Sequence, residues 1–192
     1  MGGLAGLIQF RGEPPDPAVV DRIALRLAHR GPDGSGAWAE GPAAFAHRQR
    51  RIEPHRKPQP LVSEDLVVLL DGWLYDHHEL VRGLPGATDD LTDTEALLLA
   101  WRRWGTDALS RLEGEFAFAV WSRRSRSLSL VRDRLGVRPL HYVSRGDRFA
   151  FASELGALFE VPWVSRDPDL GRLSEYLSFG VVHAPRTLVR DV

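Results

Sequence analysis

The segment Phe116-Ala117-Phe118-Ala119-Val120-Trp121 alternates large and small side chains residue by residue. A period of two belongs to a β-strand with two different faces, and the small residues on one of them let another layer approach closely. A turn at residues 122–126 leads into Leu128-Ser129-Leu130-Val131, which alternates as well. Strands are expected at residues 140–143 and 149–152, flanking Arg145-Gly146-Asp147. A Gly-Asp pair between two strands reads as a hairpin turn, not as an adhesion motif. Leu66-Val67-Val68-Leu69-Leu70 is a continuous apolar run, as for a strand covered on both faces, and it is expected to end at Asp71-Gly72. Residues 3–10 read as a first strand, and residues 36–47 as a hairpin folded around Glu40-Gly41-Pro42.

Helices announce themselves by their caps. Asp16 precedes Pro17, and Val20, Ile23, Ala24 and Leu27 then recur at helical spacing. Thr92 with Glu95 forms a capping box for a helix running through Leu97, Leu98, Trp101 and Trp104 to Gly105. Asp76 with Glu79 predicts the same device for a shorter one. A last helix follows Pro168, through Leu173 and Leu177 to Gly180. Strands and helices come in blocks, not in βαβ alternation, so antiparallel sheets with helices outside them are expected, an α+β fold. Residues 1–180 read as one domain, and residues 181–192, containing His183-Ala184-Pro185, as a connector.

Of 192 residues, 25 are Lys or Arg and 26 are Asp or Glu, a formal net charge of −1. That balance argues against a nucleic-acid binder relying on bulk positive charge. No apolar run is long enough to span a bilayer, and no basic stretch followed by an apolar one opens the sequence. A cytoplasmic location is expected. There is no cysteine, which removes disulfides, thiolate metal sites and cysteine nucleophiles together.

Seven segments, in order, resemble the N-terminal glutaminase domain of glutamine-dependent asparagine synthetase. They are Met1-Gly2-Gly3-Leu4-Ala5-Gly6, His29-Arg30-Gly31-Pro32-Asp33-Gly34, Asp71-Gly72-Trp73-Leu74-Tyr75-Asp76 and Thr92-Asp93-Thr94-Glu95, then Leu112-Glu113-Gly114-Glu115-Phe116-Ala117-Phe118-Ala119, Arg132-Asp133-Arg134-Leu135-Gly136-Val137-Arg138-Pro139-Leu140 and Phe151-Ala152-Ser153-Glu154. The resemblance implies the fold of the N-terminal-nucleophile (Ntn) hydrolases, an αββα sandwich of two antiparallel sheets between helical layers.

The family's active members carry Met-Cys-Gly, and the cysteine exposed by loss of methionine attacks the glutamine carboxamide. Here the matching residue is Gly2, so the resemblance implies no catalytic residue. The family's Asn-Gly pair supplies oxyanion donors; here it is Asp71-Gly72, and an ionised Asp71 would repel an oxyanion. The arginine that would grip the substrate carboxylate aligns with Gln49, whose amide cannot replace a bidentate charge-assisted contact. Asp93, matching the residue that binds the substrate amine, is retained. Gly2, Gln49, Asp71, Gly72 and Asp93 together would form a vestigial glutamine pocket.

In this superfamily the glutaminase domain feeds ammonia to a C-terminal domain that uses ATP and Mg to adenylate a carboxylate. A member without a nucleophile needs no ammonia if the substrate supplies its own amine, as in lasso peptide macrolactam synthetases and β-lactam synthetase. The chain therefore reads as a catalytically silent scaffold domain of an ATP-dependent amide-forming ligase. The preferred reading is a lasso peptide cyclase that adenylates an Asp or Glu side chain of a precursor peptide and closes a macrolactam with its N-terminal amine. The alternatives are a β-lactam synthetase-like or asparagine synthetase-like ligase domain, and a peptide-binding module without catalysis. A hydrolase using a hydroxyl such as Ser35 is a further rival. No Ser-Gly-Gly-x-Asp-Ser pyrophosphate loop occurs in the 192 residues, so no cofactor is expected in this chain, and the synthetase half would be a partner in cis or as a second chain.

Arg48, Arg50, Arg51, His55, Arg56 and Lys57 could contact a partner domain or a peptide leader, though an arginine run more often solvates a face. In a strand, Arg48 and Arg50 would point away from the face of Gln49. No metal site is expected: adjacent His77 and His78 diverge by roughly 100° on a helix, and Asp89-Asp90 with Asp93 reads as loop. Arg132-Asp133-Arg134 is expected to form an internal ion pair.

Overall fold

The computed structural model describes residues 2–50, 57–88 and 90–192. Fifteen elements follow one another in it: β1 (Gly2–Gln9), α1 (Pro17–Arg26), β2 (Gly34–Glu40), β3 (Ala43–Gln49), β4 (Leu61–Val62), β5 (Leu66–Leu74), α2 (His77–Arg82), α3 (Asp93–Trp104), a 3-10 turn (Gly105–Arg111), β6 (Gly114–Ser122), β7 (Ser127–Arg132), β8 (His141–Arg145), β9 (Arg148–Ala152), α4 (Leu155–Leu158) and α5 (Leu170–Phe179). Every named strand pairing is antiparallel, in a five-stranded sheet ordered β2-β3-β1-β9-β8 and a four-stranded sheet ordered β4-β5-β6-β7.

The alternation in β6 sorts its side chains between two layers. Ala117, Ala119 and Trp121 face the other sheet, where they meet Leu4, Ile8, Phe45 and Phe151. Phe116, Phe118 and Val120 turn the opposite way, against Leu97, Leu98 and Ala100 of α3. Helix α1 covers the five-stranded sheet through Val20, Ile23, Ala24 and Leu27, packed on Ala5, Ala44 and Ala46. Small alanines therefore sit where layers come closest, as in interdigitating sheet packing.

Most expected boundaries hold, and the exceptions have local causes. Strand β5 does not stop at Asp71-Gly72 but continues to Leu74, because β6 supplies partners opposite both residues and beyond, to Gly114. The Thr92–Glu95 capping box is present in both directions. Asp76 makes no capping bond to α2, since its backbone is not extended there (ψ 31°) and its side chain is not presented to the first turn. Asp16 caps α1 with a 2.9 Å bond from the Ala18 amide. Arg145-Gly146-Asp147 is the predicted β8–β9 hairpin turn, with Gly146 at φ 60°. Among the described residues no helix is long and apolar enough to cross a membrane.

Arg132-Asp133-Arg134 makes hydrogen bonds to the backbone instead of the expected ion pair. The Asp133 carboxylate accepts from the amides of Leu135 (3.1 Å), Val137 (3.0 Å) and Arg138 (3.0 Å). Arg132 donates to the carbonyls of Gly136 and Arg138. Burial works against the Asp133 charge, but the converging amides prevail and hold its carboxyl below the ordinary value of 3.8. Because the folded value is the lower one, the stabilisation is complete above about pH 4 and is lost as pH falls through the folded value. Asp133→Ala is expected to cost about 2 kcal/mol at pH 7, the scale of bonds to a charged acceptor. Chemical denaturation at pH 7 and pH 3 checks this, the difference between variant and parent shrinking at the lower pH.

Candidate functional site

Gly2 and Asp71 lie on facing strands of the two sheets. Leu4 and Ile8 of β1, and Val67 and Leu69 of β5, point into the space between the sheets, so the alternation of each strand turns Gly2 and Asp71 into the same space. They meet directly: the Gly2 amide donates to Asp71 Oδ1 at 2.7 Å. Asp71 is fully buried, and an ionised carboxylate there requires a compensating charge.

Arg30 supplies it. Its guanidinium donates to Asp71 Oδ2 at 2.9 Å, to the Gly2 carbonyl at 2.9 Å and to Glu154 Oε1 at 3.3 Å. His29 lies beside it, with Nε2 2.9 Å from the same Glu154 oxygen. Ser153 ties the floor together: Leu4 N–H donates to its hydroxyl, and its own amide returns a bond to the Leu4 carbonyl. His141 stands on β8 beside this cluster, and burial pushes its imidazole below the ordinary 6.5 despite a hydrogen bond to the Ser153 backbone.

Space at Gly2 is closed. A Cβ built there would overlap the Arg48 carbonyl oxygen and stand 3.2 Å from His47 Cε1. Gly31 is pressed on the same segment, its Cβ position 2.5 Å from both Arg48 C and Gln49 N. Gly72 adopts φ 143°, and a Cβ there would strike the Glu115 carbonyl. Residues 2, 31 and 72 are thus places where backbone meets backbone and only glycine fits.

The other expected pocket residues are placed as follows. Gln49 is buried and stands opposite Gly2 in the β1–β3 register, its Nε2 3.4 Å from the Lys57 carbonyl. Asp93, the first residue of α3, sits at the far end of β5, where Oδ2 accepts from the Leu74 amide at 3.1 Å and Oδ1 lies 2.8 Å from His77 Nδ1. That contact is an ion pair when His77 is protonated, but its angle does not make a hydrogen bond. So Gly2, Gln49, Asp71 and Gly72 are brought together, and Asp93 is engaged by its own neighbours at the strand end.

Arg48 points to the α1 side of its sheet and donates to the Gly31 carbonyl at 3.1 Å, and Arg50 is exposed. Lys57 pairs with Glu95, and that bond raises its pKa. Two of the expected cationic contacts are therefore committed within the fold. Arg51, His55, Arg56 and Asp89 lie outside the described residues. Ser35 is exposed and registered opposite Arg48, away from Gly2. A cavity of about 470 Å³ lies apart from this cluster, between Tyr75, Leu112, Glu115 and Val131 under the 133–138 loop.

Arg30, His29 and Glu154 are the residues that sequence reasoning passed over. His29 and Arg30, and Glu154, stand in two of the seven family-like segments, where no site role was expected of them. Their one signal was company: an unpaired buried Asp71 demands a cation, and only the fold says which.

The whole chain, residues 1–192, matches a family model described as a glutamine amidotransferase domain. It is 32% identical over 97% of its length to an asparagine synthetase [glutamine-hydrolyzing] 3 of Bacillus subtilis, covering 32% of that protein. A putative asparagine synthetase [glutamine-hydrolyzing] of Mycobacterium bovis is also 32% identical, over 98% of this chain and 33% of its own length. The chain thus spans about a third of the length of these relatives. Among solved structures, a glutamine phosphoribosylpyrophosphate amidotransferase from B. subtilis, complexed with ADP and GMP, superposes with a TM-score of 0.69 at 22% identity, covering 83% of this chain and 43% of that one. The two stacked antiparallel sheets are those of the Ntn-hydrolase amidotransferases.

Proposed function

Since this chain belongs to the glutamine amidotransferase domain family, we propose that it is a member without glutaminase activity, the structural domain of an ATP-dependent amide-forming ligase. The observation that carries this reading is Gly2. It offers no nucleophilic side chain, and the space a side chain would need is taken by the Arg48 carbonyl. Asp71 adds a second obstacle. A tetrahedral oxyanion needs donors, and a buried carboxylate engaged by Arg30 is an acceptor.

The acceptor amine then comes from the substrate. In the partner synthetase domain, which supplies the ATP and Mg site, a carboxylate attacks ATP and pyrophosphate leaves. The amine displaces AMP from the acyl-adenylate, and an amide forms. Within this class we favour a lasso peptide cyclase, the carboxylate being an Asp or Glu side chain and the amine the N-terminus of the same precursor peptide. A β-lactam synthetase-like ligase follows the same logic with a smaller substrate. A second reading rests on the relatives' names: an asparagine synthetase-like ligase that takes free ammonia.

The test uses the full ligase polypeptide with ATP and Mg. Under the cyclase reading, AMP and pyrophosphate form only with the precursor peptide, and the peptide loses the mass of one water. Ammonia-dependent conversion of aspartate to asparagine would replace that reading with the second.

A further inference from the structure

Helix α5 is folded inside out. No residue of it is buried, yet Leu170, Leu173 and Leu177 recur three and four residues apart along one stripe, 70%, 37% and 76% exposed. Phe179 and Val181 continue the apolar surface past the helix end, at 74% and 47%. The residues it turns inward are charged. Arg172 Nη1 pairs with Glu175 at 2.7 Å, and Glu175 also meets His183 Nδ1 at 2.9 Å. A surface helix ordinarily buries its apolar stripe and shows its charges.

Fraying does not explain the inversion, because α5 is held at both ends. The Asp169 carboxylate caps it through the Arg172 amide at 3.1 Å, and Gly180 closes it in the left-handed conformation. Two backbone bonds then fix its entry: Asp169 N–H to the Leu188 carbonyl at 2.9 Å, and Arg190 N–H to the Asp167 carbonyl at 3.0 Å. The apolar stripe is presented to solvent by a helix that is capped at both ends and tied at its entry to residues 188–190. Tyr142 of β8, half exposed, lines the cleft beside the Asp169 end and stacks on Phe149.

We propose that the Leu170–Leu173–Leu177 face of α5 is the docking surface for the synthetase half of the ligase. The relatives argue for that occupant. This chain covers 32% and 33% of the two asparagine synthetase relatives described above, so each of those carries roughly twice this domain's length in further polypeptide. An apolar stripe on a capped helix suits permanent burial against such a neighbour, as obligate interfaces resemble a divided core. The inference rests on the ligase reading, but it does not depend on whether glutamine is hydrolysed.

Hydroxyl-radical footprinting of the full ligase polypeptide tests it. Phe179, Leu177 and Tyr176 are expected to label about tenfold less than the same residues in an unstructured reference peptide, as for side chains taken out of water. Leu173→Glu with Leu177→Glu should restore the labelling of Phe179 and Tyr176 while the 116–121 strand keeps its protection, which separates undocking from unfolding. Free labelling of α5 in the full polypeptide overturns the proposal. So does protection that disappears on dilution, the mark of a second copy, or protection seen only with lipid vesicles. Glutamate formation together with a protected α5 would instead overturn the silent-domain reading and leave the docking face standing.

Discussion

Gly2→Cys is expected to leave glutamine intact and to weaken the fold. The substitution returns a thiol to the leading end, but its Cβ must displace the Arg48 carbonyl, which β3 holds in its pairing with β1. Overpacking of that kind costs about 1–3 kcal/mol. For a domain of this size each kcal/mol moves the midpoint by about 2–4 °C, so a lower melting temperature should accompany the absence of glutamate. The combined variant Gly2→Cys, Gln49→Arg, Asp71→Asn restores the family's side chains without restoring space, and it too should release no more glutamate than buffer. Coupled-enzyme detection of glutamate and calorimetry on the same samples check both halves of the claim.

Arg30→Ala should be the most destabilising single change at the cluster. It strips the cation from a carboxylate that is fully buried and that, among the described residues, otherwise accepts from the Gly2 amide. Removing one partner of a buried pair costs about 3–5 kcal/mol, most of it the uncompensated charge left behind. Asp71→Asn removes the charge instead and keeps an oxygen for the Gly2 N–H, so its cost should be smaller. The double variant is the informative one: neutralising residue 71 relieves the penalty of losing Arg30, and it should be more stable than Arg30→Ala alone. Equilibrium denaturation of the four proteins completes the cycle. Additive losses would mean that Arg30 stabilises through Gly2 and Glu154 and not through Asp71.

Much of the fold could be read from local signals because those signals coincide with packing. The large-small alternation of residues 116–121 encodes two layers at once, and the Thr92–Glu95 box fixes a helix start by bonds three residues apart. Strand β5 ran past Asp71-Gly72 because a turn-like pair yields to a neighbouring strand that supplies partners, and no window of β5 alone contains β6. The absence of cysteine is a fact of composition and needs no fold to be seen; the contacts around Asp71 do. Arg30 reaches Asp71 across 41 residues and Glu154 across 124, separations that no local pattern reports. The inversion of α5 was equally hidden, because spacing reveals a stripe of leucines but not which way the stripe faces.

Beside Gly2 stand the Asp71 carboxylate, paired with Arg30, and the Arg48 carbonyl of β3, and we propose that no group there attacks an amide. The most direct test is incubation of the purified protein with amide-labelled ¹⁵N-glutamine, following free ammonium by NMR over hours. The ammonium signal is expected to equal that of the protein-free control and to stay unchanged when ATP and an acceptor are added to the full ligase. Ammonium that rises in proportion to protein, and is abolished by altering Asp71 or Arg30, would contradict this reading.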